Sequence, residues 1–170
     1  WLCLWKGPLR WIGLPFALAV TLVPRPAPPD AWVSADGAAV AVRAGKQAVL
    51  FRPDVKLFGA ELWARRRGLV PLETEAERDR SFQCDHWSCA PGADAPLKVG
   101  AAWNVKRPLK PGRLEQICAT ADVVVLRNDF RPETCPAPLV LTGADFARGG
   151  SVELYRNGDG HWRTVWAQDL

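Results

Sequence analysis

The chain has 170 residues, of which 48% are hydrophobic and 24% are charged, and its formal net charge is +4. This hydrophobic fraction lets the chain bury a core, which argues against disorder, while 15 Pro and 14 Gly argue against a helical bundle. Because the sequence starts at Trp1 and contains no Met, we expect it to be part of a longer protein.

The first 23 residues have a composition of their own. From Leu9 to Val23 the only charge is Arg10, and about 15 helical residues cover only ~22 Å of a ~30 Å hydrocarbon core. We therefore expect residues 1–23 to be the end of a membrane-embedded region, with a short loop at Lys6 to Pro8. A signal peptide is the alternative, which the missing Met and the lack of a small-residue cleavage site oppose.

The cations near this segment predict its orientation. Lys6 and Arg10 precede the last helix and only Arg25 follows it closely, so the positive-inside rule places the rest of the chain outside. Residues 24–30 are Pro-rich and predict a stiff linker. Residues 31–170 then form one globular domain, whose 19 cationic and 17 anionic residues give no nucleic-acid signature by charge alone.

In chain order, the domain pattern predicts a mixed, β-rich α/β fold. A three-stranded meander is expected over residues 31–51, with turns at Asp36-Gly37 and Gly45-Lys46, followed by a helix over Lys56 to Arg67. The charged segment 73–80 is expected to be solvated. The remaining predicted elements are a hairpin over residues 82–90, a short helix at 113–119, a buried strand at 121–126, and strands at 138–141, 151–155 and 161–167.

Four cysteines follow the apolar segment, which itself contains Cys3. An even set is typical of disulfides in an oxidising compartment. Local geometry favours bonds between Cys84 and Cys89, across a hairpin turn, and between Cys118 and Cys135, with loss of the second more damaging. A zinc site built on Cys84, His86 and Cys89 is one alternative, although its spacing matches no usual finger, and free buried thiols are the other.

Two basic clusters are candidate nucleic-acid-binding sites: Arg65, Arg66 and Arg67, and Lys106, Arg107, Lys110 and Arg113. Either cluster can contact DNA phosphates, but a solvated face or contact with anionic lipid head groups explains such clusters as well. The nine Trp residues can stack on single-stranded bases, although positions such as Trp63 and Trp166 in apolar runs favour the core or the bilayer interface.

Catalytic motifs are weak. Ser34 with Asp36, and Ser88 with His86, are fragments of a triad without a nucleophile elbow, so turn roles are the better interpretation. Glu73, Glu75 and Glu77 lie in a charged run, which favours a solvated segment over acid and base catalysis. The sequence contains no phosphate-binding loop motif.

Residues 14–51, which span the apolar segment, the linker and the meander, resemble the junction between the last membrane helix and the C-terminal domain of ComEC, the competence channel for DNA uptake. Residues 118–167 are similar to the end of that domain in its shortened proteobacterial form. The resemblance implies a layered metallo-β-lactamase-like domain on the periplasmic side of the bacterial inner membrane. It also implies single-stranded DNA, the membrane, the rest of the channel and other DNA-uptake proteins as partners.

Fuller family members carry a His-rich two-metal site in this domain, and its implied chemistry is nuclease action. This chain has two His, at 86 and 161, and neither lies in such a run. Asp36-Gly37 stands where fuller members have an Asp-Val-Gly-Gln-Gly-Asp turn, and Val123 to Asp129 stands where a strand leads to ligands. We therefore expect a degenerate, non-catalytic domain without metal or other cofactor. The alternatives are a metal-dependent hydrolase or nuclease, and a membrane-anchored structural domain without DNA contact.

Overall fold

The computed structural model describes residues 13–22, 27–53, 55, 58–105 and 109–169. Helices within these ranges are α1 (Gly13–Leu22), α2 (Phe58–Arg66), α3 (Glu75–Asp79), α4 (Pro111–Thr120) and α5 (Gly143–Gly149). The strands are β1 (Ala31–Val33), β2 (Val40–Ala44), β3 (Gln47–Leu50), β4 (Val70–Leu72), β5 (Phe82–Cys84), β6 (Ser88–Pro91), β7 (Val99–Ala102), β8 (Val123–Leu126), β9 (Leu139–Leu141), β10 (Val152–Arg156) and β11 (Trp162–Trp166).

The strands form two sheets. Sheet A has the order β11-β10-β1-β2-β3-β4, and sheet B has the order β5-β6-β7-β8-β9. Sheet A is antiparallel except where β3 pairs with β4, whereas β7, β8 and β9 of sheet B are parallel. The mixed, β-rich α/β class expected from the sequence is confirmed.

The domain is layered, with the largest apolar cluster between the two sheets. That cluster takes side chains from both sheets, including Val33, Val42, Val99 and Val125. A second cluster joins the outer face of sheet A to α2, and a third joins the outer face of sheet B to α4. Burial on both faces explains why β8 is the unbroken run VVVL, with all four residues buried.

The predicted meander is confirmed, with its turns at the expected glycines. Gly37 and Gly45 have φ of 66° and 64°, a backbone region that favours glycine. The predicted strands near residues 82, 123, 139, 152 and 162 are present as β5, β8, β9, β10 and β11. The predicted helix at 56–67 is α2, although residues 56 and 57 lie outside the described ranges.

Three elements and one side chain differ from expectation. The elements β4, β7 and α5 were not predicted from the sequence. The segment 73–80 was expected to be solvated, but it contains α3, and Arg78 is buried there. Its guanidinium donates to the carbonyl of Phe51 at 3.0 Å, which anchors α3 to the end of β3. The solvated assignment is therefore wrong for Arg78.

Of the predicted membrane-embedded region, residues 1–23, the structure describes only residues 13–22, which form α1. This ten-residue helix has exposed apolar side chains at Leu14, Leu18, Val20 and Leu22. Among the residues that the structure describes, no helix has both the length and the apolar character needed to cross a membrane. The predicted first segment, its loop, Cys3 and the linker residues 24–26 lie outside the described ranges.

Both predicted cysteine pairs lie at disulfide distance. Cys84 and Cys89 face each other across β5 and β6, with their Cα atoms 4.1 Å apart. Cys118 of α4 joins Cys135 of the loop between β8 and β9, with a Cα separation of 5.1 Å. The thiols that the zinc alternative needed are thus taken up in the first pair.

Candidate functional site

The first candidate site is the edge of the domain that the family resemblance singles out. The β1–β2 turn carries Asp36, and the loop after β8 carries Arg127. The Arg127 guanidinium donates to the Asp36 carboxylate at 3.0 Å, although the two residues are 91 positions apart. The structure therefore brings together the two segments that the resemblance compares with metal-ligand segments.

The oxygen atoms of Asp36 are already occupied. Ser34 donates its hydroxyl at 2.7 Å and the backbone amide of Ala38 donates at 3.1 Å, both to Oδ1, while Arg127 contacts Oδ2. Partial burial alone would raise the pKa of Asp36. The hydrogen bonds from Ser34 and Ala38 and the charge of Arg127 outweigh it, so the pKa of Asp36 lies below its ordinary value.

The neighbouring loops pack closely against this edge. A Cβ added at Gly37 would lie 3.0 Å from the Phe146 ring, and one added at Gly143 would lie 2.6 Å from the carbonyl oxygen of Arg127 and from Asp129 Oδ1. At the start of α5, the Asp145 carboxylate accepts from the amide and the hydroxyl of Thr142, each at 2.9 Å. Backbone and internal pairing fill the space around these carboxylates.

The residues at this edge do not fit a His-rich two-metal centre of the kind that the resemblance to ComEC brings into question. His86 lies in the β5–β6 turn and His161 lies at the start of β11, so neither follows the strands that end at this edge. Across the described ranges, no group of three or more His, Cys, Asp or Glu side chains is placed to hold a metal ion. No reaction step is therefore derived through a metal.

The remaining sequence candidates for catalysis have structural roles. Ser34 and Asp36 close the β1–β2 turn through their own hydrogen bond. Ser88 is fully buried and its hydroxyl bonds to Asp85 at 3.0 Å, while the backbone carbonyl of His86 accepts from the Trp103 indole. Glu75 and Glu77 belong to the first turn of α3, where Thr74 caps the helix.

The two predicted basic clusters lie on opposite outer layers of the domain. Arg65, Arg66 and Arg67 lie at the end of α2, which packs on β1, β2 and β3 of sheet A. Lys110 and Arg113 lie at the start of α4, which packs on β6 and β7 of sheet B. The two clusters do not form one surface, and Lys106 and Arg107 lie outside the described residues.

Arg113 is engaged in contacts within the domain. Its side chain is 16% exposed, and its guanidinium donates to the Ser88 hydroxyl at 2.9 Å and to the carbonyl of Gln83 at 2.6 Å. It also donates to the Gln116 side-chain oxygen at 2.9 Å and forms an ion pair with Asp85 at 3.2 Å. Arg113 therefore fixes α4 on the β5–β6 hairpin, while Lys110 is exposed.

The α2 cluster divides in a similar way. Arg67 forms a two-pronged ion pair with Glu153 of β10, with its Nη2 atom 2.6 and 2.7 Å from the carboxylate oxygens. The hydrogen bond to Glu153 raises the pKa of Arg67. Arg65 is exposed and lies 3.9 Å from the equally exposed Glu73. Arg66 is exposed and forms no ion pair with any residue in the described ranges.

Beside this cluster lies a groove of about 510 Å³ between α2 and the outer face of sheet A. Trp32 and Trp63 lie in it as a stacked pair, with ring centroids 6.4 Å apart and planes inclined by 19°. Glu153 accepts from the Trp63 indole at 3.0 Å and from the Tyr155 hydroxyl at 2.9 Å, in addition to Arg67. The sequence identified the arginines and included Trp32 among the nine Trp residues that can stack on bases, but it did not single Trp32 out, although its place at the centre of β1 marks it as a residue of a sheet face.

Comparisons of the chain with family models, with curated proteins and with solved structures found no match.

Proposed function

We propose that this chain is the C-terminal part of a ComEC-type channel for DNA uptake, and that its globular domain is a non-catalytic component that guides the incoming strand. The Asp36–Arg127 pair is the observation that supports this most directly. It joins the two segments that the resemblance aligns with metal-ligand segments of fuller members, and it replaces a metal-binding arrangement by an internal ion pair.

The layered architecture is consistent with the metallo-β-lactamase-like fold that the resemblance implies. Two sheets share a core, and a helix covers the outer face of each. The two cysteine pairs at disulfide distance favour an oxidising compartment, in keeping with a domain on the periplasmic side of the inner membrane. The hydrolase alternative has less support, since the oxygens of Asp36 are occupied by Ser34, Ala38 and Arg127.

A strand-guiding role needs cations that are available to phosphates. Among the described members of the two basic clusters, Arg65, Arg66 and Lys110 are exposed and fit this role. Arg67 and Arg113 are engaged by Glu153 and by the hairpin around Asp85. Of these exposed cations, two lie at the end of α2, so we take the α2 end as the candidate for strand contact.

DNA internalisation by cells that carry the chain in its full-length protein tests the proposal. Removing residues 31–170 should abolish the entry of labelled DNA into the cytoplasm while DNA still binds the cell surface. Asp36→Asn, at normal protein abundance, should keep uptake within about twofold, because a non-catalytic domain does not need that carboxylate for chemistry. Normal uptake without the domain would contradict a role in DNA transport, and loss of uptake in Asp36→Asn would contradict the non-catalytic role.

A further inference from the structure

The groove between α2 and sheet A has features of a ligand site that its role in packing does not require. Its volume of about 510 Å³ lies within the range of small-molecule sites. Helix α2 packs on β1 to β4, and among the described helices none packs to a similar extent on the outer faces of β10 and β11 beside it. Strand register places Trp32, Glu153 and Val165 side by side on that open face.

The aromatic pair in the groove is held in place by a hydrogen bond from Trp63 to Glu153 and by close packing of Trp32 on Gly59. The Trp63 indole donates to Glu153, which is itself fixed by Arg67 and Tyr155. The Trp32 ring lies against Gly59 of α2, where an added Cβ would be 3.0 Å from the ring. Trp63 is buried, while Trp32 is half-buried and lines the groove. Trp32 is therefore a rigid aromatic surface that is open to a ligand.

The charges of the groove favour an anion. Arg66, Arg67 and Glu153 are its charged lining residues, so two guanidinium groups stand against one carboxylate. Glu153 and Arg67 neutralise each other, which leaves the exposed Arg66 as the available charge. A flat aromatic surface with an adjacent guanidinium suits a ligand with a planar ring and a phosphate, as in a single-stranded nucleic acid.

We propose that this groove binds one unpaired base of a single strand, which stacks on Trp32 while Arg66 contacts the adjacent phosphate. The inference rests on the proposed function and assigns the strand contact to one place on the domain. A duplex keeps its bases stacked and paired, so it offers the groove only its phosphates. The site therefore selects single strands over duplex DNA.

The test leaves the protein unchanged and varies the DNA. The disulfide-bonded 170-residue chain is titrated with a 12-nucleotide thymidine strand and with an abasic strand of the same length and charge, each labelled for fluorescence anisotropy. The thymidine strand should bind about tenfold more tightly, the size expected for one base stacked on an aromatic side chain. Both strands should show the same salt dependence, because they carry the same phosphates.

Three variants then locate the contact. Gly59→Ala raises the helix propensity of α2, so the fold should be kept, but the added Cβ would displace the Trp32 ring. It should therefore reduce the ratio of the affinity for the thymidine strand to the affinity for the abasic strand. Arg66→Gln should weaken both strands about equally and lower their salt dependence. Arg80→Gln removes the same charge from an exposed residue that does not line the groove, and it should leave the affinity for both strands unchanged.

Equal binding of the two strands by the native chain would overturn the inference, as would a base preference that Gly59→Ala leaves intact. If both strands bind equally and Arg66→Gln weakens them, the strand-guiding role stands and the stacking site does not. If neither strand binds, the stacking site is overturned, and the uptake experiment then decides the proposed function separately. Equal binding of the two strands is also the result expected if the groove binds an apolar peptide instead of a base, because the base would then add nothing to the affinity.

Discussion

The outer faces of the two sheets differ in how completely they are closed. On sheet B, Ile117 of α4 and Ala121, which follows the helix, pack in one apolar cluster with Val124, and the Cys118–Cys135 pair ties the β8–β9 loop to the helix. On sheet A, α2 covers only part of the face, and beside it a polar cluster centred on Glu153 borders an open groove. The α4 face is therefore closed by apolar packing and a cysteine pair, whereas the face beside α2 keeps a groove that is open to solvent.

The largest effect should come from opening the closed face. Cys118→Ser with Cys135→Ser removes a link between two residues that are 17 positions apart. Closing a loop of that size in the unfolded chain stabilises the folded state by about 3 kcal/mol. We expect the free energy of unfolding to fall by about that amount in urea titrations. Under conditions where the double variant is folded, it should bind single strands as the native chain does, because the groove lies on the other sheet.

The other cysteine pair serves as the matched control for this prediction. Cys84 and Cys89 are separated by five positions, so the same entropy argument gives about 2 kcal/mol for Cys84→Ser with Cys89→Ser. A larger loss from the hairpin pair than from the Cys118–Cys135 pair would contradict the assignment of stability to the α4 face.

A second experiment acts on the open face. Glu153→Ala leaves the indole N–H of the buried Trp63 without its acceptor, and it removes the partners of Arg67 and Tyr155. An unsatisfied buried donor costs about 1–3 kcal/mol, so we expect a loss near 2 kcal/mol in urea unfolding. Glu153→Gln keeps an acceptor for the indole and should cost about 1 kcal/mol, since the ion pair of the half-exposed Arg67 adds little.

Exposed Glu133→Ala is the control for these Glu153 variants, because no ion pair or hydrogen bond of its side chain is found in the described ranges. It should change stability by less than about 0.5 kcal/mol. If Glu153→Ala behaved like Glu133→Ala, the polar cluster would not hold the groove, and the aromatic pair would not be fixed in the way described.

Most strands followed from sequence pattern, whereas β7 and α5 did not, for identifiable reasons. β7 reads Val-Gly-Ala-Ala, in which small residues carry little β signal, but Gly100 lets α4 approach the sheet: a Cβ there would lie 2.6 Å from Ile117. α5 has only seven residues and has glycine at both ends, so its helical signal in the sequence is weak. Its signal was Thr142 followed three residues later by Asp145, the spacing of a capping box.

The candidate site was harder to predict than the fold. Three consecutive arginines look alike in sequence, yet the structure pairs Arg67 with Glu153, 86 positions away, and leaves Arg66 exposed. The partner that decides each role comes from a distant strand, and no local pattern reports it. The cysteine pairs were predictable because their partners are close in sequence: Cys84 and Cys89 flank one hairpin turn, and Cys118 and Cys135 bracket the single buried strand β8.

The smallest expected effect concerns the edge at Asp36, which joins the two sheets. The pKa values of Asp36 and Asp145 lie below their ordinary values. In each case burial would raise the pKa, but the hydrogen bonds that the carboxylate accepts outweigh burial. The charge of Arg127 lowers the pKa of Asp36 further, and Arg148 and Arg131 do the same for Asp145. A carboxyl whose pKa is lower in the folded state stabilises the fold above its unfolded pKa of 3.8, and this stabilisation is lost as pH falls through the folded value.

We therefore expect Asp36→Asn to unfold at lower urea concentration than the native chain at pH 6, with the difference shrinking towards pH 2. The Asp36 side chain is 56% exposed, so the effect should be modest, and Asp159→Asn, in the exposed β10–β11 turn, provides the matched control. A difference between Asp36→Asn and the native chain that grows on acidification would show that the Asp36–Arg127 pair does not hold the two sheets together at this edge.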